Sequence, residues 1–189
     1  MGNNVIDTVG LIMSIDAHSL EEQVIKPTLK YLNEISNASI SLLLGTAAIE
    51  TQLKPLSRSS KCSEHCGIGL YNITQQQHID IWDNYLAFDP DLASRIRGLA
   101  SQRIFLTNPH DELNTNLAYA TAIAWCIYKQ ANLSLSGNST QYLASCWSRY
   151  FRHQKSVSDQ TDFCRVYNDL VLSKPAMAPT QRNQAIDAA

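Results

Sequence analysis

The chain has 189 residues, 44 % of them hydrophobic and 17 % charged, with only seven glycines. That length and balance fit one ordered domain with a sizeable core, and they exclude a disordered chain. A formal net charge of −2 and a pI of about 6.2 give no basic footprint for nucleic acid and no polybasic membrane anchor.

From the N-terminus, residues 1–17 are short and mixed and carry no basic leader followed by a long apolar run. No cleavable signal peptide is expected there. No stretch approaches membrane-spanning length. Ser19 with Glu22 resembles a capping box and predicts a helix to about Ile35, with Pro27 in its first turn or kinking it. Ser39 is then expected to cap the next helix, Ser41-Leu-Leu-Leu-Gly-Thr-Ala-Ala-Ile-Glu50-Thr-Gln-Leu53. Lys54-Pro55 should stop it. Leu43, Ala47, Glu50 and Leu53 share one helix face, and three of the four are apolar. A glutamate there is either a frayed-end carboxylate reaching solvent or a partly desolvated acid able to hold a proton.

Residues 54–73 are polar and aperiodic up to Cys66, then short, apolar and glycine-marked, which predicts a long loop or irregular hairpin. Thr74 and Gln77 form a capping box. The helix behind them carries Ile79, Trp82 and Leu86. Asp89-Pro90 opens another helix with Leu92, Ile96 and Leu99 inside. Asn108-Pro109 is expected to open the longest helix, to about Gln130, with a buried stripe of Leu113, Leu117, Ala120, Ala124 and Ile127. Ser134–Gly137 reads as a turn. A helix from about Ser139 to Phe151 carries Leu143, Trp147 and Tyr150. Ser158 is placed to cap a last helix with Phe163, Val166, Tyr167 and Leu170. Residues 174–189 read as a tail. The prediction is a mainly α fold of about seven helices with at most a small hairpin.

Five cysteines leave at least one thiol unpaired in a monomer. Cys62 and Cys66 could form a small disulfide, although reduced thiols are favoured. Cys126, Cys146 and Cys164 read as buried apolar side chains. Cys62, His65 and Cys66, with His78 as a fourth candidate, have unusual spacing for zinc, so no metal and no cofactor is expected. A Cys–His nucleophile pair from that stretch is disfavoured too. The chain holds no glycine-rich phosphate loop and no Gly-x-Ser-x-Gly elbow.

Several runs together carry a resemblance. They are Leu43-Leu-Gly-Thr-Ala-Ala-Ile-Glu50-Thr51, Gly67-Ile-Gly-Leu-Tyr-Asn-Ile-Thr74, His78-Ile-Asp-Ile-Trp-Asp-Asn-Tyr-Leu86, Asn116-Leu-Ala-Tyr-Ala-Thr-Ala-Ile-Ala124 and Trp147-Ser-Arg-Tyr-Phe151. In order and spacing the sequence resembles bacteriophage members of the lysozyme-like superfamily, related to soluble lytic transglycosylases and goose-type lysozymes. The likeness covers residues 40 to 170. It implies an N-terminal helical segment (1–36) packed on a lysozyme-like catalytic domain (37–173), followed by the tail (174–189). It implies a phage-encoded enzyme that cleaves the β-1,4 bond between N-acetylmuramic acid and N-acetylglucosamine, with Glu50 as the acid. Its partner would be the peptidoglycan strand, with no nucleic acid and no membrane insertion, and the protein a monomer.

The resemblance assigns Gly69, Tyr71 and Asn72 to the sugar cleft, where Asn72 replaces the family's glutamine. It puts Asn116 and Tyr119 on the opposite wall and Tyr150 as the aromatic near the acid. On the residues alone, Asn116 reads equally as a helix-surface amide, and Tyr150 and Trp147 as core aromatics. Between Glu50 and Ile79 the only other acid is Glu64, a candidate second carboxylate that also reads as solvated surface. A single acid points to the anhydro-forming lytic transglycosylase route, with a hydrolytic muramidase close behind. A virion wall-binding or structural component that keeps the fold without the activity is the alternative.

Overall fold

A computed structural model describes residues 14–54, 67–151 and 159–173. Ser158, Pro55, Glu64, the Cys62–Cys66 stretch and the tail 174–189 lie outside the described residues. Helices make up 74 % of what is described, with almost no strand, as the mainly α expectation requires. No helix among the described residues is long and apolar enough to cross a membrane.

The first helical stretch begins at α1 (Ala17–Leu20). Its cap is Asp16, whose carboxylate accepts from the Ser19 backbone N–H at 2.8 Å. Ser19 is therefore inside the helix, three residues after the actual cap. Residues Glu21–Ile25 form a wider π-type turn before α2 (Lys26–Tyr31). The Lys26 N–H reaches back to the Glu21 carbonyl, five residues away. Pro27 explains the widening, because it has no N–H to give and its ring presses on the carbonyl four residues earlier. Leu20, Ile25 and Leu29 from this stretch are fully buried, so residues before 36 contribute to the same core as those after it.

Helix α3 (Asn37–Thr51) is capped by Ser36, with Ser39 as the reciprocal partner three residues on. Ser39 had been the expected cap; its hydroxyl closes the box from inside the helix. The helix ends before Lys54, where Gln52 and Leu53 both turn left-handed. Among the described residues a single antiparallel bridge, Ile68 to Ile73, stands for the expected hairpin. Its turn crosses at Gly69, with φ of +68°.

Helix α4 (Gln75–Asn84) has the Thr74–Gln77 box, and α5 (Pro90–Leu99) opens at Asp89 and Pro90. Then comes α6 (Gln102–Thr107), capped by Ser101. Asn108-Pro109 opens only a short 3-10 turn, which leads to α7 (Glu112–Thr115). The chain breaks again at Asn116, and α8 runs from Leu117 to Gln130. The single long helix expected from residue 109 is thus divided. At the break Asn116 takes extended backbone, and its side chain caps the Tyr119 N–H at 3.0 Å, a local bond that competes with continued helix. Helix α9 (Thr140–Tyr150) is capped by Ser139 as expected, and α10 (Asp159–Tyr167) follows. Leu170, expected on the inner side, lies beyond α10 and is more than a third exposed.

Helix α8 is the axis of the core. Every residue from Tyr119 to Tyr128 is buried, so it is wrapped on all sides and not along one stripe. Helix α3 packs on α8, α9 and α10. The α3–α10 contact is close at Gly45, where an added Cβ would meet Phe163 Cζ at 2.3 Å.

Gly69 is the tightest point in the site region. An added Cβ would lie 1.8 Å from the Leu113 carbonyl oxygen, in a left-handed conformation as well. Gly69→Ala should destabilise the protein by at least about 2 kcal/mol. Urea denaturation of the variant beside wild type measures this; an unchanged midpoint would contradict the packing described.

Candidate functional site

Glu50 sits in the last turn of α3 and is half-buried. Among the described residues, side chains from two other elements bond its carboxylate. The Trp147 indole on α9 donates to Oε1 at 2.9 Å. Asn72, on the bridge turn, donates its amide N–H to Oε2 at 3.1 Å. The two contacts differ in setting, since Trp147 is 2 % exposed whereas Asn72 is exposed and left-handed (φ 52°). Thr51, next in sequence, ties the end of α3 to the bridge turn through the Leu70 carbonyl at 2.8 Å. The helix end and the turn are therefore one rigid unit.

The other expected site residues fall elsewhere. Tyr71 is fully buried, and its hydroxyl pairs with Thr121 on α8 at 3.1 Å; burial drives its phenol strongly upward in pKa. Tyr119 is equally buried, with its hydroxyl bonded to His78 and Trp82. Neither ring offers a face to a glycan, and both are core residues. The amide of Asn116 is committed to the α8 cap, to the Leu99 carbonyl at 2.8 Å and to Glu112 at 2.8 Å. It holds elements together and does not form a wall. Gly69 serves the turn by backbone shape. Tyr150 lies under the Arg149 guanidinium and lines a separate cavity of about 500 Å³ with Tyr142 and Cys146. The aromatic that bonds Glu50 is Trp147, one turn earlier on α9. The sequence signal for it was present: Trp147 shares the helix face of Tyr150 and carries the N–H that tyrosine lacks.

Glu112 was not foreseen. It is fully buried and accepts from the Ser101 N–H at 3.0 Å and from Asn116. This carboxylate joins the start of α6 to α7 and α8. Among the described residues no group of three or more His, Cys, Asp or Glu is placed to hold a metal ion. The remaining zinc candidates lie outside the described residues, and His78 is occupied by other partners. Cys126 and Cys146 are buried free thiols, and Cys164 is half-buried.

A second polar cluster is centred on His78 in the first turn of α4. His78 is 1 % exposed, with Nδ1 2.9 Å from His110 Nδ1 and Nε2 2.6 Å from the Tyr119 hydroxyl. Burial, with His110 beside it, pushes the His78 pKa down to about 4, so it is neutral in the folded protein near pH 7.

No protein-family model, no curated protein and no solved structure matches the chain.

The buried imidazole sets a pH dependence. An unfolded histidine takes up its proton near 6.5 and the folded one near 4. Between those values the unfolded state binds more protons, so stability is full above about pH 6.5 and falls as pH drops toward 4. At about 1.4 kcal/mol per pKa unit, the loss approaches about 3 kcal/mol. Chemical denaturation at pH 7 and pH 4.5 should show it, and His78→Gln, which keeps hydrogen-bonding capacity without titrating, should flatten the difference.

Proposed function

We propose that the protein cleaves peptidoglycan glycan strands at the bond between N-acetylmuramic acid and N-acetylglucosamine, with Glu50 as general acid and then base. One observation carries this reading. A half-buried carboxylate stands at a helix end, with its two oxygens held by donors from two different elements. That arrangement fixes the orientation a proton-transferring group needs. The lysozyme-like ancestry is part of the same proposal and rests on the sequence runs around Glu50, Gly67–Thr74 and Trp147.

The two oxygens have different tasks. Trp147 keeps Oε1 as a permanent acceptor. Oε2 meets the more exposed donor, Asn72, and in this proposal it is the oxygen that carries the proton. In the proposed reaction Oε2–H protonates the glycosidic oxygen, and the C1–O bond breaks with its electron pair going to the leaving N-acetylglucosamine. The muramic C6 hydroxyl then attacks C1, and its proton returns to Oε2. The product is a 1,6-anhydro sugar, and no second carboxylate is consumed. Attack by water in place of the C6 hydroxyl gives the hydrolytic variant. A phage protein would apply this either to host lysis from the cytoplasmic side or from the virion.

The alternative, a wall-binding or structural protein without activity, draws on a specific observation. Tyr71, Tyr119 and Asn116, assigned to the sugar cleft by resemblance, are buried or committed to internal bonds.

A peptidoglycan zymogram of wild type, Glu50→Gln and Trp147→Phe separates the two. General acid–base catalysis contributes about 10²- to 10⁴-fold, so Glu50→Gln should lose clearing. Trp147→Phe should retain the fold by its thermal melt yet lose roughly tenfold in rate, the size of one lost hydrogen bond to a charged group. Full clearing by Glu50→Gln removes Glu50 from its role. Wild type that sediments with cell walls but clears nothing supports the alternative. Mass spectrometry of the digest distinguishes anhydro from reducing muramic ends.

A further inference from the structure

Residues 102–111, which comprise α6 and the 3-10 turn Pro109–Asp111, include no buried residue. A segment that buries so little lies at the low-stability end of a fold. Its base is closed. The Ser101 N–H donates to Glu112 Oε1 at 3.0 Å, and Glu112 and Leu113 behind it are fully buried. The excursion therefore leaves and rejoins the fold at one pinned point. Within it, α6 packs mainly on the turn that follows. A short set of side-chain contacts holds it down. Phe105 stands edge-on to Trp82, with ring centres 5.4 Å apart, and to Tyr119 at 6.1 Å. The Arg97 guanidinium caps the same ring, 3.7 Å from its centre. His110 Nδ1 meets His78 Nδ1 at 2.9 Å. Phe105, Pro109 and His110 of the segment line a cavity of about 490 Å³ together with His78, Trp82 and Leu86 from the body of the fold. Lifting the segment removes part of that cavity's wall.

The histidine contact is the member of this set that acid weakens. One ring has to donate and the other to accept, so two imidazolium rings cannot make the bond. A first added proton is also poorly housed. His78 is 1 % exposed, and its Nε2 lies 2.6 Å from the Tyr119 hydroxyl, whose oxygen already receives the Trp82 N–H at 2.9 Å. The charged groups on the surrounding elements give little relief. On α4, Asp80 is held by the Gln130 amide and Asp83 is exposed. Arg97 on α5 has the same sign as the added charge. Glu112 on α7 is committed to Ser101 and Asn116, and α8 presents the neutral Tyr119. The segment itself carries Arg103 and Asp111, both exposed. Asp111 favours a charged His110, but burial outweighs it, and both rings are held below the ordinary imidazole range, His78 at about 4. Lifted into water, His110 regains an affinity near pH 6.5. Protons thus bind the lifted form better, and its population rises as pH falls.

We propose that residues 102–111 form a flap over this cavity, latched by the His78–His110 contact and released by acid while its base at Ser101–Glu112 stays closed. Release uncovers the aromatic faces of Trp82 and Phe105 without unfolding the core around α8. A helix of six residues is not stable away from the fold, so α6 loses its internal bonds when it lifts. None of Glu50, Asn72 or Trp147 lines the cavity, and the flap stands or falls separately from the glycan-cleaving reading.

The test is amide hydrogen exchange of the full chain at pH 7 and pH 5, expressed as protection factors so that the intrinsic pH dependence of exchange cancels. The reporters are the Phe105 and Asn108 N–H groups, which donate to the Ser101 and Ile104 carbonyls. Their protection should lie well below that of α8 at both pH values and be insensitive to low urea, because a local opening exposes little surface. It should fall on the order of tenfold from pH 7 to pH 5, the linkage expected when a histidine moves between those two affinities. The double variant His78→Gln/His110→Gln keeps amide hydrogen bonding without a titrating group, and should abolish that fall. Phe105→Ala should lower flap protection at both pH values and leave the pH ratio unchanged; this variant decides the point if the double variant does not fold. Flap amides that share the protection and urea dependence of α8 would overturn the proposal, as would a pH ratio near one in wild type or a tenfold fall that persists in the double variant.

Discussion

A helix with no wet face has to find a partner for every polar side chain it carries, and α8 is such a helix. Tyr119, Thr121 and Tyr128 each solve the problem by reaching a different neighbour. Tyr119 bonds His78 and Trp82 on α4, Thr121 bonds Tyr71 on the bridge turn, and Tyr128 bonds Thr46 on α3 at 2.7 Å. Leaving any of these hydroxyls unpaired in the interior would be penalised more heavily than the bond itself is favourable. Trp125 on the same helix is the exception, with a buried indole N–H that has no partner among the described residues.

These spokes are what place the candidate site. Two of the three elements that meet at Glu50, namely α3 and the bridge turn, are pinned to α8 by the Thr46–Tyr128 and Tyr71–Thr121 pairs. The third, α9, packs on α3 and delivers Trp147. The carboxylate is thereby oriented by residues whose own positions are fixed through buried hydrogen bonds, which is the support that a proton-transferring group requires. Tyr71 and Tyr119, assigned to a sugar cleft by resemblance, are the spokes themselves.

Local signals were readable from the sequence because they act over a few residues. The Thr74–Gln77 box, the Asp89-Pro90 start and the Ser139 cap stand where short-range rules put them. The same rules slipped by one turn at Ser19 and Ser39, since Asp16 and Ser36 are equally good caps and spacing alone does not rank two candidates. Asn116 is harder still. Its neighbours continue the helical stripe on both sides, and at the break its amide bonds the Leu99 carbonyl across the fold as well as Glu112 four residues earlier.

The sequence by itself determined that this is a helical protein, where α4, α5 and α9 begin, and that Glu50 ends an apolar helix, since capping and periodicity are properties of neighbouring residues. Which aromatic meets Glu50, which tyrosines are sealed away, and that two histidines on separate elements meet through their ring nitrogens were decided only in the tertiary structure. Each of those depends on contacts between segments tens of residues apart, and helical periodicity specifies the face a residue occupies but not the element that covers it.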